Sequence, residues 1–187
     1  MNRGISFFYI FIKKIRVMKK LFIMMCLCTM ALCANAQKVT IWYGANMAKV
    51  SGDVKVDSEF KFLNVGATYT APISDAFDWS VGAAYVTKGG EKWDPSLIQI
   101  DANAYYNFLS DENVKVGVLA GPYVGYMIND DDAEAKKLDF GISAGVQGSY
   151  KQFSLKVGYE FGLSNCIDVS GVSSKMNGLY IRLGYSF

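Results

Sequence analysis

The chain has 187 residues, of which 51% are hydrophobic, 14% aromatic and 19% charged, with 18 Gly, 3 Pro, 4 Cys and no His. So few charges beside so many aromatics and glycines exclude a disordered chain or a nucleic-acid-binding tail. Without His, neither Ser-His-Asp nor Cys-His nucleophiles nor an HExxH zinc site can be assembled. No catalytic, cofactor-binding or metal-binding residue is therefore expected.

Residues 1–36 read as a leader. Lys19 and Lys20 precede an apolar run, Leu21 to Cys33, and Ala34-Asn35-Ala36 follows it. A basic start, a short apolar core and an A-x-A site make a secretory signal peptide cleaved after Ala36. The run is too short to cross a bilayer as a helix. A start at Met18 gives a complete signal by itself, so residues 1–17 read as an upstream extension. Removing Arg3, Lys13, Lys14, Arg16, Lys19 and Lys20 turns the formal +2 into 13 basic against 17 acidic residues, net −4. Three of the four Cys leave with the leader, so Cys166 has no partner for a disulfide framework and reads as a passive loop residue.

The remainder, residues 37–187, alternates with period 2 in eight segments. The first, around Val39 to Met47, is mixed on both faces. Then follow Leu63, Val65, Ala67, Tyr69; Trp79, Val81, Ala83, Tyr85; and Ile98, Ile100, Ala102, Ala104, Tyr106, Phe108. The fifth runs from Val114 to Ile128 on even numbers. Leu138 to Val146, Phe153 to Phe161 and Leu179 to Phe187 complete the set. Segments of about 9–13 residues match a tilted bilayer-crossing strand. Short connections (Pro72–Asp75, Ser110–Asn113, Lys151–Gln152) alternate with longer polar ones (Val50–Asp57, Gly89–Ser96, Asn129–Lys137, Ser164–Lys175). The pattern predicts an all-β fold: an eight-stranded antiparallel up-and-down transmembrane β-barrel with both termini on the short-turn side.

A soluble, lipocalin-like periplasmic carrier would turn the apolar face inward. The other face would then be its wall against water, yet it is rich in Gly, Ser and Asn and carries only scattered charges. Soluble surfaces usually carry about a quarter to a third charged residues. The apolar face is accordingly assigned to lipid, and the export signal places the barrel in the outer membrane of a Gram-negative bacterium. Aromatics gather at both ends of the outward rows: Tyr69, Trp79, Tyr106, Phe108, Tyr150, Phe153, Tyr185 and Phe187 at the short turns, and Tyr85, Tyr126, Phe140 and Phe161 towards the long loops. These are the two girdles of a membrane barrel.

Four stretches carry a family resemblance: Val118-Leu-Ala-Gly-Pro-Tyr-Val-Gly-Tyr126, Asp139-Phe-Gly-Ile-Ser-Ala-Gly145, Leu155-Lys-Val-Gly-Tyr-Glu-Phe-Gly-Leu-Ser-Asn165 and Leu179-Tyr-Ile-Arg-Leu-Gly-Tyr-Ser-Phe187. They resemble the porin-family, outer membrane protein β-barrel domain proteins of Bacteroidota-type bacteria. Leu97-Ile-Gln-Ile-Asp-Ala-Asn-Ala-Tyr105 lacks the Pro usual in the family's fourth strand. The resemblance implies an eight-stranded outer-membrane barrel with no shared catalytic residues. It also implies that Leu183, Tyr185 and Phe187 form a C-terminal signal read by the barrel-assembly machinery. "Porin" is here a family label, not a statement of conductance.

Candidate chemistry is confined to lumen charges and loops. Asp101, Lys115, Asp139, Lys156, Glu160 and Arg182 share the inward face and form a candidate charge network, because ions in a narrow barrel must be paired. Eight strands leave an interior that side chains fill. Asn129-Asp-Asp-Asp132 with Glu134 lacks EF-hand spacing and reads as a solvated loop. Gly89-Gly90 is a turn and not a phosphate cradle. The expected function is a structural or interaction barrel acting through its long loops. Its partners would be outer-membrane lipid, the assembly machinery and an envelope protein, with no nucleic acid. A narrow solute channel and a periplasmic lipocalin-like carrier are the alternatives, with a His-free membrane enzyme behind them.

Overall fold

The structure, a computed structural model, describes residues 37–52, 56–88, 95–129, 137–165 and 174–187, with the backbone alone at 56–58. The leader, Gly89-Gly90, the acidic run 130–134 and Cys166 lie outside the described residues. Eight strands follow one another: β1 (Lys38–Gly52), β2 (Val56–Pro72), β3 (Phe77–Thr87), β4 (Ser96–Ser110), β5 (Val114–Met127), β6 (Leu138–Tyr150), β7 (Phe153–Gly162) and β8 (Ser174–Ser186). Each pairs antiparallel with its neighbour in sequence. β8 returns to β1 along a ladder from Thr40↔Ser186 to Gly52↔Ser174, so the sheet closes on itself. Closure pairs the backbone polar groups of every strand on both sides, the condition for a sheet to exist in hydrocarbon.

Both faces follow from the alternation. Ile41, Val65, Val81, Ile100, Val124 and Ile142 point outward and are exposed. Their chain neighbours Trp42, Asn64, Ser80, Asp101, Tyr123 and Ser143 are buried inside. Large apolar side chains thus cover the outside of the barrel, while the inside is polar, the inverse of a soluble protein.

Among the described residues the ladders slip register three times, once between Ala48 and Val50, and two of the slips double an outward apolar residue. Opposite Gly44–Asn46 the pairing slips by one residue on β2, and Phe62 and Leu63 both face outward, 63% and 61% exposed. A second slip beside Asn107 turns Phe108 and Leu109 outward together. Each of these two bulges adds one apolar residue to the outer belt and keeps the inner row in phase. The sequence reading placed Val50–Asp57 in a loop, whereas β1 runs to Gly52 and β2 resumes at Val56. Val50 extends its strand because it packs inward in an apolar cluster with Val86, Leu97, Met127 and Met176. At the other end, Tyr150↔Phe153 leaves a two-residue hairpin in which Lys151 takes a φ of 53°.

The aromatics form contacting pairs across strands and along them. At the short-turn end Tyr69 and Trp79 lie 5.8 Å apart, Phe77 and Tyr106 5.2 Å, and Phe153 and Tyr185 5.4 Å. Towards the long loops Tyr159 and Phe161 lie 4.8 Å apart, and Phe60 stacks on Phe62 at 6.0 Å.

Candidate functional site

The barrel interior is the candidate site, and it is built in three storeys. Nearest the long loops is the apolar cluster of Val50, Val86, Leu97, Met127 and Met176, each almost wholly buried. These inward residues lie towards the long-loop ends of their strands, so the mouth is sealed by the same alternation that places polar groups deeper down.

Beneath the seal lies an ion network. Lys88, the residue that follows β3, places its ammonium 3.0 Å from Asp139 Oδ2 and 2.8 Å from Glu160 Oε2. The Arg182 guanidinium donates to Glu160 Oε1 at 3.0 Å and lies 3.8 Å from Asp101. Gln99 donates to the same Glu160 oxygen at 2.9 Å, and the Ser164 hydroxyl donates to Asp139 at 3.0 Å. Asn103 donates to Asp101 at 2.7 Å and accepts from Ser143 at 2.9 Å. Rings complete the shell: Lys88 sits 4.2 Å from the Tyr123 centroid, and Arg182 lies 4.4 Å from Trp42 and 4.3 Å from Tyr180. Each cation therefore has both carboxylate and aromatic partners, which offsets part of the large cost of removing it from water.

The third storey faces the short turns. Lys115 approaches Asp78 at 3.0 Å, and Asn107 donates to the same carboxylate at 2.8 Å. Lys156 donates to the Tyr105 hydroxyl at 2.8 Å, and that hydroxyl shares a 3.1 Å hydrogen bond with Ser80.

All six sequence-derived charges point inward, but they do not form one cluster. Asp101, Glu160 and Arg182 meet directly; Asp139 joins them through Lys88; Lys115 belongs to the lower group; Lys156 is held by a phenol instead of a carboxylate. The reading missed Lys88 and Asp78. Parity would have found both, since each continues the even-numbered inward row of β3 through Ser80, Gly82, Ala84 and Val86. With them the network holds four carboxylates (Asp78, Asp101, Asp139, Glu160) and four cations (Lys88, Lys115, Lys156, Arg182), a neutral set.

Rings and glycines fill what the ions leave. A Cβ on Gly66 would lie 2.6 Å from Trp42 Cζ2, so the indole occupies the space of that missing side chain, with its Nε1 donating to Thr68 at 3.1 Å. Gly141 yields in the same way to the Tyr123 hydroxyl. A crevice bounded by Asn46, Ala48, Lys88, Glu160, Met176 and Gly178 has no room for a water molecule. Among the described residues no group of three or more Cys, Asp or Glu is arranged to hold a metal ion.

No family model matches the chain, and no curated protein matches it. Among solved structures it is similar to Neisserial surface protein A, with 18% identity and a TM-score of 0.52 over 82% of this chain and 98% of that one. It is also similar to the outer membrane protein OprG of Pseudomonas aeruginosa, with 14% identity and a TM-score of 0.50 over 81% and 96%. The N-terminal β-barrel domain of Pseudomonas aeruginosa OprF aligns with 12% identity and a TM-score of 0.47 over 80% and 97%. At these identities the likeness concerns the fold. The chain has the small, closed, eight-stranded barrel architecture of outer-membrane proteins.

Proposed function

We propose that the protein is an integral outer-membrane barrel of a Gram-negative bacterium whose lumen is closed and whose long loops carry its function as a structural or interaction surface. The observation that carries this reading is the contrast between the two faces. Outside lies an unbroken apolar surface ending in aromatic girdles; inside, ion pairs, rings and an apolar seal fill the bore. A lipocalin-like carrier needs the opposite arrangement, an apolar cavity behind a wettable wall. A conducting barrel needs a continuous wet path, which the packed lumen opposes.

Residues 1–36 fit this assignment as a cleaved export signal acting from Met18. The resemblance of the last four strands to porin-family proteins of Bacteroidota-type bacteria supports placement in that class. The outward row Leu183, Tyr185 and Phe187, all exposed, is the proposed recognition element for the barrel-assembly machinery.

Two measurements test the assignment. The mature chain refolded in detergent should migrate as a heat-modifiable band; a chain that folds as a monomer in buffer without detergent refutes membrane residence. In planar bilayers the refolded protein should show no steps above leak, and steady openings would replace the closed-lumen reading with a narrow channel.

A further inference from the structure

The outer surface of the β1–β8 seam differs from the rest of the barrel. Its outward pairs, read from the short turns towards the long loops, are Ile41↔Tyr185, Tyr43↔Leu183, Ala45↔Ile181, Met47↔Leu179, Lys49↔Asn177 and Ser51↔Lys175. Apolar pairs thus give way to two lysines at the rim, one on each strand. Lys49 and Lys175 are both exposed and lie on successive outward pairs, in the diagonal position. Such neighbours stand about 7–8 Å apart at the backbone, within reach for two long side chains to converge. Among the described residues neither has a carboxylate partner. One outward step nearer the short turns the cross-strand neighbours are apolar: Phe60 opposes Met47 on one side, and Phe161 opposes Asn177 on the other. At the long-loop ends of β3–β6 the corresponding outward row is Tyr85, Ile98, Tyr126 and Leu138, which carries no charge.

Two like charges in diagonal register repel each other, and at the edge of hydrocarbon that repulsion is screened less than in water. An anion between them removes it. An anion that also presents acyl chains to Met47, Leu179, Ala45 and Ile181 satisfies the surface below as well. We propose that Lys49 and Lys175 form a docking site for the phosphate of an anionic lipid in the leaflet on the long-loop side. The headgroup would bridge the two ammonium groups while its chains run down the β1–β8 seam. The site rests on the membrane assignment above. It gives the barrel one lipid-selective side, so that its orientation among neighbours in the bilayer is not random.

The test uses the refolded mature chain in maltoside micelles, with phosphatidic acid and phosphatidylcholine of equal chain length supplied together and retained lipid counted by native mass spectrometry. Wild type should retain phosphatidic acid about thirtyfold over phosphatidylcholine, as two lysines near a charged lipid surface would give. Lys49→Gln/Lys175→Gln should lose most of that preference, Lys49→Arg/Lys175→Arg should keep it, and Lys151→Gln at the opposite end should leave it unchanged. Excess inorganic phosphate should not displace the lipid. Equal retention by the double Gln variant, loss in Lys151→Gln, or displacement by free phosphate would each overturn the proposal. A wild-type chain that folds to the heat-modifiable form without any lipid preference refutes the lipid site alone, whereas a chain that never takes that form in micelles refutes the membrane assignment and the site together.

Discussion

Replacing Lys88 with Met tests whether the lumen network is held by one side chain. Lys88 is 3% exposed and lies within 3.0 Å of carboxylates on two different strands. Met keeps much of the length and can still lie against the Tyr123 ring. What is lost is the charge that neutralises Asp139 and Glu160. The two are not left equally bare. Among the described residues Glu160 retains Arg182 at 3.0 Å and Gln99 at 2.9 Å, while Asp139 retains only the Ser164 hydroxyl at 3.0 Å. Removing one partner of a buried pair costs about 3–5 kcal/mol, and here the larger share falls on Asp139. Asp139→Asn alone should cost about 1–3 kcal/mol, because Lys88 keeps Glu160 and a charged hydrogen bond is exchanged for a neutral one. The double variant Lys88→Met/Asp139→Asn should therefore be more stable than Lys88→Met by about 2 kcal/mol, a coupling in the usual range for touching residues. Urea unfolding in micelles, followed by the folded band and by tryptophan fluorescence, measures all three. A cost below about 1 kcal/mol for Lys88→Met, the range of exposed pairs, would refute the clamp, as would a double variant no more stable than the single one.

Other substitutions probe the two faces and the turn. Ala120 lies outward and exposed near the middle of β5. Ala120→Arg should destabilise the barrel in bilayers by about 2–4 kcal/mol, whereas a barrel facing water would show a change within about 0.5 kcal/mol in the same titration. Gly66→Val forces a side chain into the space of the Trp42 indole and should cost about 1–3 kcal/mol or prevent folding; an unchanged unfolding midpoint, with unshifted emission in a Trp79→Phe/Trp93→Phe background, would show that the indole lies elsewhere. Lys151→Gly relieves a positive φ on a non-glycine residue and should raise stability by about 1 kcal/mol, and a lower urea midpoint would contradict the turn geometry. Deleting Phe187 should reduce insertion into the outer membrane in cells, measured as folded band in the membrane fraction; normal insertion would exclude that residue from the assembly signal.

Much of this architecture could be read from the sequence because one rule governs it. Side chains alternate across a strand, so a row such as Ile98, Ile100, Ala102, Ala104 and Tyr106 declares its face whether or not its partners are known. Strand number and connection lengths followed from the same rows. Extents did not. Val50 and Ser51 look like the start of a polar loop, and only the seal formed with residues far away in sequence shows why β1 continues. Bulges were equally hidden: Phe62-Leu63 and Phe108-Leu109 each break the alternation by one residue, and a bulge has no mark in the sequence beyond that doubled apolar pair. In the lumen, parity gave the inward face but not the partners. Which cation meets which carboxylate depends on register, and register is a property of pairs of strands. Lys88 shows the limit most clearly, because it follows β3 and its three contacts come from β5, β6 and β7.

The buried ions have a physical use that their net energy alone would not justify. Replacing a buried pair with apolar residues of equal volume is often neutral or stabilising, so stability by itself gives no reason to keep four carboxylates and four cations inside. The outer face supplies the reason. A strand with apolar residues on both faces could shift by one residue and still present an acceptable surface to lipid. With Asp139 on β6, Glu160 on β7 and Arg182 on β8, the same shift would expose a charge to hydrocarbon on each of three successive strands. Arg on the lipid face costs about 2–4 kcal/mol at the midplane, and the acids cost somewhat less. The penalty for misregister therefore amounts to several kcal/mol over that half of the barrel, comparable with the whole stability of a small domain. The lumen network thus acts first as a device that fixes register. The closed bore follows from it, because ions close enough to neutralise one another leave no space for water between them.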